Sequence, residues 1–492
     1  MKDQKKSLKS GFVMNAILTA SQLLFPLVTF PYVSRVLLPA GTGRVSFATS
    51  VISYFLMLAQ LGIPVYGVRA CAKVRDDRRE LTRTAQELLL LNGVTSLLAC
   101  AALFFAIAHV DRLREDRLLY AVLSVSILAH AVGMEWLYRA TEQYAYMTLR
   151  SIAFRAVSVV CLFLLVRGPQ DVVRYGGITI LAGCASSLLN LFHAHRFIDM
   201  KPVGHYRLGR HVRPMLVFFA MACATTVYTH LDTVMLGFMA TDADVGYYHA
   251  AVRIKSILVS MVTSLGAVLL PRASYDVQCG RMDEFRRMTQ KALRFVFVAA
   301  VPLMLYFTCF ARECIRFLSG AAYAGSVVPM RIIMPTLLCI GLTHTLGVQV
   351  LVPLGREKTV LASVVAGAAT DVVLNALLIP AYASAGAAVG TLAAEGVVLC
   401  VQLAALRGEA WAALRSVPYG KIAAASAAGC LLSLPVRLTG AGVLTGLLLS
   451  ACLFFGAYAL TLWAMKEALA VEAVRLLEGW RRNRKTNRST GR

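Results

Sequence analysis

No GxxxxGK[ST] loop occurs in the 492 residues, so the phosphate cradle of a nucleotide hydrolase is not encoded. Neither a CxxC pair nor a Cys/His ligand spacing occurs, which argues against a metal site. The twelve cysteines are scattered singly, mostly inside apolar stretches, and read as small packing residues; Cys309 and Cys314 leave a disulfide open. Acidic residues are scarce, 26 against 50 Lys and Arg, and all charged residues together make up only 15% of the chain. Hydrophobic residues reach 58%, a balance that excludes disorder and fits a polytopic helix bundle. The formal charge of +24 would point a soluble protein toward nucleic acid, but no basic stripe interleaved with aromatics is present and no nucleic-acid partner is expected. No cleavable signal peptide is expected either, because the basic first ten residues lead into an apolar run of full spanning length.

What the chain does have is roughly fourteen apolar runs, each long enough as a helix to cross a hydrocarbon core of about 30 Å. They fall near residues 11–36, 45–68, 85–109, 118–138, 148–166, 173–193, 212–239, 245–270, 292–311, 326–350, 359–380, 385–406, 420–436 and 440–464. Lys and Arg are retained on the cytoplasmic side of a membrane, so their placement orients the spans. Thirty-six lie before the first run, in alternate loops and after the last run, whereas the opposite loops hold ten. Both termini are therefore expected in the cytoplasm, with an even number of spans. The fold class expected is an all-α polytopic membrane protein with about fourteen transmembrane helices.

A shift of 203 residues superposes the first three runs on the seventh to ninth, matching Gly43 with Gly246, Ala48 with Ala251, Arg69 with Arg272 and Val74 with Val277. Six spans per repeat give both halves one orientation, with a symmetry axis along the membrane normal. The expected organisation is a pair of pseudo-symmetric six-helix lobes, 1–209 and 210–410, then a C-terminal helix pair over 411–466 and a basic cytoplasmic tail over 467–492. Residues 194–213 read as the linker between lobes, and residues 466–479 as an amphipathic helix beside anionic lipid.

Four segments carry a family resemblance. They are LLPAGTGRVSFATSVISYFLMLAQLGIPVYGVR at 37–69, MEWLYRATEQYAYMTLRSIAFR at 134–155, HLDTVMLG at 230–237 and LIPAYASAGAAVGTLAAE at 378–395. Together they resemble the polysaccharide (O-antigen type) flippases of the multidrug/oligosaccharidyl-lipid/polysaccharide exporter superfamily. The resemblance implies fourteen spans in the bacterial cytoplasmic membrane and movement of undecaprenyl-diphosphate-linked oligosaccharide from the inner to the outer leaflet. Membrane lipid, a glycan polymerase and glycosyltransferases are the other implied partners. The chain departs from the family at Asp371, where Asn is more usual, and at residues 383–385, where a glycine is expected; the second departure is expected to be neutral.

The informative charges are those that topology does not require. Arg155, Arg253, Lys255 and Arg331 remain after the loop residues are set aside. A basic residue at mid-membrane costs at least about 2.5–3.5 kcal/mol, so each should face a cavity, a counter-charge or the interface. Arg253 and Lys255 are two apart and cannot share a helix face; Arg253 is the better candidate for a head-group cavity. Arg35 and Arg44 flank the loop between the first two runs, either as interface residues or at the cavity mouth. Guanidinium groups suit a lipid diphosphate, with which they form bidentate hydrogen bonds. Asn15 and Gln22 form a further polar stripe facing the same cavity. Glu135 and Arg155 are expected to pair near the inner ends of their spans. Asp232, with Thr225 and Thr229, and Asp371, with Asn375, form helical polar faces suited to H⁺ or Na⁺ coupling, or to interhelical hydrogen bonds. Pro26, Pro31, Pro302 and Pro335 are candidate bending points. No cofactor is expected. The leading expectation is an alternating-access flippase and not an enzyme; the alternative is a H⁺- or Na⁺-coupled multidrug cation antiporter of the same superfamily.

Overall fold

The computed structural model describes residues 2–199, 201–440, 442–472 and 475, with side chains described from Leu27 onward except at 265, 267, 268, 409 and 410, and at Met14 and Phe25 before it. Every regular element among the described residues is a helix. Ten described helices are long and apolar enough to cross a membrane, or twelve if each of two bent pairs is one crossing. Two of the ten cover more than one apolar run: Glu357–Gly408, with 52 residues, holds the runs 359–380 and 385–406, and Leu27–Lys73, with 47, holds the run 45–68 and the end of the run 11–36. Unbroken, at about 1.5 Å per residue, they would be roughly 70 and 78 Å long, more than twice a hydrocarbon core.

Local chemistry breaks both long helices. In the first, Leu38 leaves helical geometry, with φ 61° and ψ 174°. It precedes Pro39, whose ring disfavours helical geometry in the residue before it. In the second, Pro380 is followed by Ala383 with φ 45°. The chain reverses there: a Cβ added to Gly386 would sit 2.5 Å from the Leu378 carbonyl oxygen, eight residues back. Ala383 therefore occupies the left-handed region that glycine enters without penalty, so the missing family glycine has a backbone cost and is not neutral. Of the four candidate prolines, Pro335 lies at a break, where helices Ala321–Ile333 and Thr336–Leu351 meet at 46°. Pro302 lies inside the unbroken helix Met282–Cys309.

The chain forms two compact units. One comprises residues 1–249 and 375–387; the other comprises 250–374 and 388–492. In the first, Ile63, Cys71, Leu81, Leu88, Trp136 and Leu137 form a buried cluster. Gly67 fits there because an added Cβ would meet the Trp136 ring at 3.0 Å. Asp77 caps the helix Arg78–His109, accepting hydrogen bonds from the amides of Arg79 at 2.9 Å and Glu80 at 3.2 Å. The 194–213 segment is pinned to that helix. Gln86 donates to the carbonyls of Asp199 and Lys201 at 2.9 and 2.8 Å. The fully buried Glu87 accepts from the Arg207 amide at 2.7 Å, pairs with Arg210 at 2.7 Å and meets His211 Nε2 at 2.7 Å.

In the second unit the C-terminal pair, Tyr419–Ser433 and Val443–Ala464, packs on the helix Met282–Cys309. Tyr306 donates to the Leu447 carbonyl at 3.1 Å, and Tyr458 donates to the Val298 carbonyl at 2.9 Å. Lys421 donates to the Met465 carbonyl at 2.7 Å, and Lys291 pairs with Glu472 at 2.8 Å. All twelve cysteines are free thiols, Cys309 and Cys314 included. The basic residues 481–488 lie outside the described residues.

Two stability predictions follow from these backbone and charge environments. Ala383→Gly should raise the melting temperature of the solubilised protein, relieving about 1 kcal/mol of left-handed strain. Glu87→Ala should lower it by an amount equivalent to about 1–3 kcal/mol, since the Arg207 amide and the buried His211 lose their acceptor. A scanning thermal-shift comparison with wild type checks both.

Candidate functional site

Within the first unit, two glycines make a backbone crossing that no side chain fits. A Cβ on Gly43 would lie 1.8 Å from the Asp242 carbonyl oxygen, and one on Gly246 would lie 2.1 Å from the Pro39 carbonyl oxygen. The 203-residue shift maps Pro39 onto Asp242 and Gly43 onto Gly246, so the two contacts are reciprocal under the internal repeat. Gly237 adds a third close approach, an added Cβ there falling 2.1 Å from the Phe47 ring. Arg112 ties this junction together. Its Nε donates to the Gly237 carbonyl at 3.0 Å, its guanidinium pairs with Asp242 and with Glu115, and it lies 5.4 Å from the Phe47 ring centre. Burial works against the Arg112 charge, but the hydrogen bond and field of Asp242 outweigh it and raise the pKa above the ordinary arginine value.

Arg44 sits on the same segment but is engaged. Its Nε donates to both carboxylate oxygens of the buried Asp116, at 3.0 and 3.1 Å, and its terminal nitrogen also pairs with Asp116. That bidentate pairing ties Arg44 to the scaffold at Asp116. Arg35 is exposed and donates to the Pro31 carbonyl one turn back at 2.6 Å.

The buried polar centre of the first unit is Asp232. It accepts a hydrogen bond from the Tyr248 hydroxyl and another from Asn375 Nδ2 at 2.7 Å, joining three helical segments. Thr225 and Thr229 share its helix, Gly209–Met239, and each donates to a carbonyl one turn back, at 3.1 and 2.7 Å, because a hydroxyl on an apolar helix is satisfied locally. His230 turns away from Asp232 and meets Ser50 Oγ at 3.3 Å. Asp371 is also buried, one turn before Asn375 on their common helix. Tyr248, Arg112 and Glu87 are the residues that sequence reasoning missed. Glu87 lies inside the third apolar run and was open to the same accounting as the other intramembrane acids; nothing in the sequence marks Tyr248.

Glu135 pairs with Arg139 at 3.0 Å, one turn away, and not with Arg155. The nearer partner wins because it needs no helix-to-helix reach; both Glu135 and Arg155 line a cavity of about 160 Å³ with Arg150 and Asn190. Arg253 and Lys255 lie in the second unit, both half-buried. The side chains of Asn15 and Gln22 lie outside the described residues.

A family model described as "Polysaccharide biosynthesis protein" matches residues 8–275. The chain belongs to the polysaccharide biosynthesis protein family. A second model, MatE, matches residues 218–377. A protein of Escherichia coli (strain K12), provisionally named an O-antigen transporter, is 22% identical over 83% of the chain and 98% of its own length. A Haloferax volcanii protein, provisionally named flippase AglR, is 25% identical over 34% of the chain and 35% of its own length. Among solved structures, the lipid II flippase MurJ in an inward closed conformation aligns with a TM-score of 0.64 at 15% identity, over 90% of the chain and 99% of that structure. An inward-facing multidrug resistance MATE transporter aligns with a TM-score of 0.63 at 16% identity, over 82% of the chain and 99% of that structure. These likenesses establish the fold of this polysaccharide biosynthesis family member as a two-lobe polytopic helix bundle.

Tyr248→Phe should lower the melting temperature by the equivalent of about 1–3 kcal/mol, because the buried Asp232 carboxylate loses a donor. Asp232→Asn should cost less, since an amide flip lets Asn375 offer its carbonyl to the new amide. Thermal-shift measurements on the two variants check the order.

Proposed function

We propose that the chain moves a polyprenyl-diphosphate-linked glycan across the bacterial cytoplasmic membrane, from inner to outer leaflet, for cell-surface polysaccharide synthesis. The observation that carries this reading is the match to the O-antigen transporter relative over 98% of that protein's length, within a chain that belongs to the polysaccharide biosynthesis family. Undecaprenyl diphosphate is the carrier that the family resemblance implies.

The physical demand is to pass a head group of about two negative charges through low dielectric. The prenyl tail stays in lipid, so only the head needs a polar path. Arg253 is the residue we assign to it. Alternating access by the two lobes would expose that path to one leaflet at a time. An inside-negative potential drives an anion outward by roughly 2.3 kcal/mol per charge per 100 mV, so no nucleotide is needed. In this scheme both termini lie in the cytoplasm, a reading that the Lys and Arg distribution supports.

A multidrug cation antiporter is the second reading, favoured by the MatE match over residues 218–377 and by the buried carboxylate of Asp232. In that case Asp232→Asn would abolish ion-coupled export of a cation such as ethidium.

Arg253→Ala should abolish complementation of a flippase-null strain while the protein stays at its normal level in the membrane. Full complementation by the variant would remove Arg253 from the path. Cation export by the wild-type chain, with no complementation, would replace the flippase reading by the antiporter one.

A further inference from the structure

Three arginines in the second unit are left without partners around one cavity. Arg312 and Arg316 project from the helix Ala311–Ser319, one turn apart, and Arg331 lies on the helix Val327–Ile333. All three line a cavity of about 890 Å³ together with Glu313 and Arg437. None of the three has an ion-pair partner or a side-chain hydrogen bond among the described residues. The acid in the cavity is already committed. Glu313 pairs with Arg437 at 2.9 Å, and Arg437 also donates to the Cys309 carbonyl and lies 4.8 Å from the Phe310 ring centre. The cavity thus holds four guanidinium groups against one carboxylate, a formal excess of three positive charges.

This concentration stands where charge topology least explains it. Arg312, Arg316 and Arg437 are three of only ten basic residues on the depleted side, and Arg331 is one of the four that topology leaves over. Mutual repulsion disfavours such a cluster unless an anion joins it. Exposed apolar residues neighbour the arginines in the sequence: Phe317, Val328 and Leu438, the last of them 88% exposed. Cationic groups alternating with exposed apolar ones are what a lipid head-group region accommodates.

We infer that this cavity is a binding site for the phosphate or diphosphate group of a lipid, recognised by Arg312, Arg316 and Arg331, with Arg437 and Glu313 as its fixed wall. Guanidinium forks match phosphate oxygens geometrically, and three unpaired forks suffice for a diphosphate. Placing the site on the outer leaflet, where it would receive the translocated head group, rests on the flippase reading and its orientation. The binding chemistry does not.

The test uses the full chain in phosphatidylcholine nanodiscs, photolabelled with a diazirine-bearing farnesyl diphosphate and mapped by peptide. Label is expected in peptides spanning residues 311–331. The triple variant R312Q/R316Q/R331Q should reduce that label about tenfold or more, while the triple Lys variant, which keeps the charge but not the forks, should label more than the Gln variant and less than wild type. A second measurement needs no variant: farnesyl diphosphate should protect Arg312, Arg316 and Arg331 of the wild-type chain from phenylglyoxal. Competition by inorganic pyrophosphate would show that the free phosphate group suffices; competition by the prenyl diphosphate alone would show that the lipid is required. Absence of label in the wild type, equal label in the Gln variant, or no protection overturns the site. A chain that labels here but moves no lipid-linked glycan keeps this site and overturns the transport reading instead.

Discussion

A charge or an open hydrogen-bonding group inside an apolar helix must be answered by a partner, by water or by an interface, and much of this structure follows from that demand. Asp232 is answered by Tyr248 and Asn375, which brings three helical segments to one point. Glu87 is answered by Arg210, His211 and the Arg207 amide, which turns an intervening loop into a fixed strut. Arg44 is answered by Asp116, and Arg112 by Asp242. Each answered charge fixes the register of helices whose apolar faces alone would slide, because hydrocarbon contacts with lipid and with a neighbouring helix differ little in energy. The helices supply the span; these few polar contacts decide how they meet.

Much of the fold was legible in the sequence because its causes are periodic and cumulative. An apolar run of spanning length has few structural alternatives, and the 36-to-10 split of basic residues is a sum over many loops. The reciprocal contact of Gly43 and Gly246 gives the sparse repeat a geometric counterpart. The breaks inside the two long helices also have sequence causes, in Pro39 and Pro380.

Side-chain partnerships were less legible. That Asp232 and Asn375 each lie on a polar face could be read from i,i+4 spacing, but that they bond to each other depends on a helix crossing that spacing does not encode. Glu135 found the partner on its own helix, Arg139, where an interhelical one had been expected. Thr225 and Thr229 bonded to their own backbone, a local solution always available to a hydroxyl. Arg331 was recognised as a charge needing an explanation, yet Arg312, Arg316 and Arg437 reach it from segments up to 125 residues apart in the sequence. An intramembrane charge is visible in the sequence, while the neighbours that answer it are set by the fold.

The crossing of Gly43 with Gly246 also bears on how the two halves could diverge. Over most of a duplicated chain, each copy answers to its own surroundings, and a substitution in one places no demand on the other. At this junction each copy forms the wall of the other's site, so a side chain gained by either glycine would strike the opposite half's backbone. Neither can drift alone. An internal duplication can lose its resemblance almost everywhere and still keep it at the seam, where the descendants remain each other's environment.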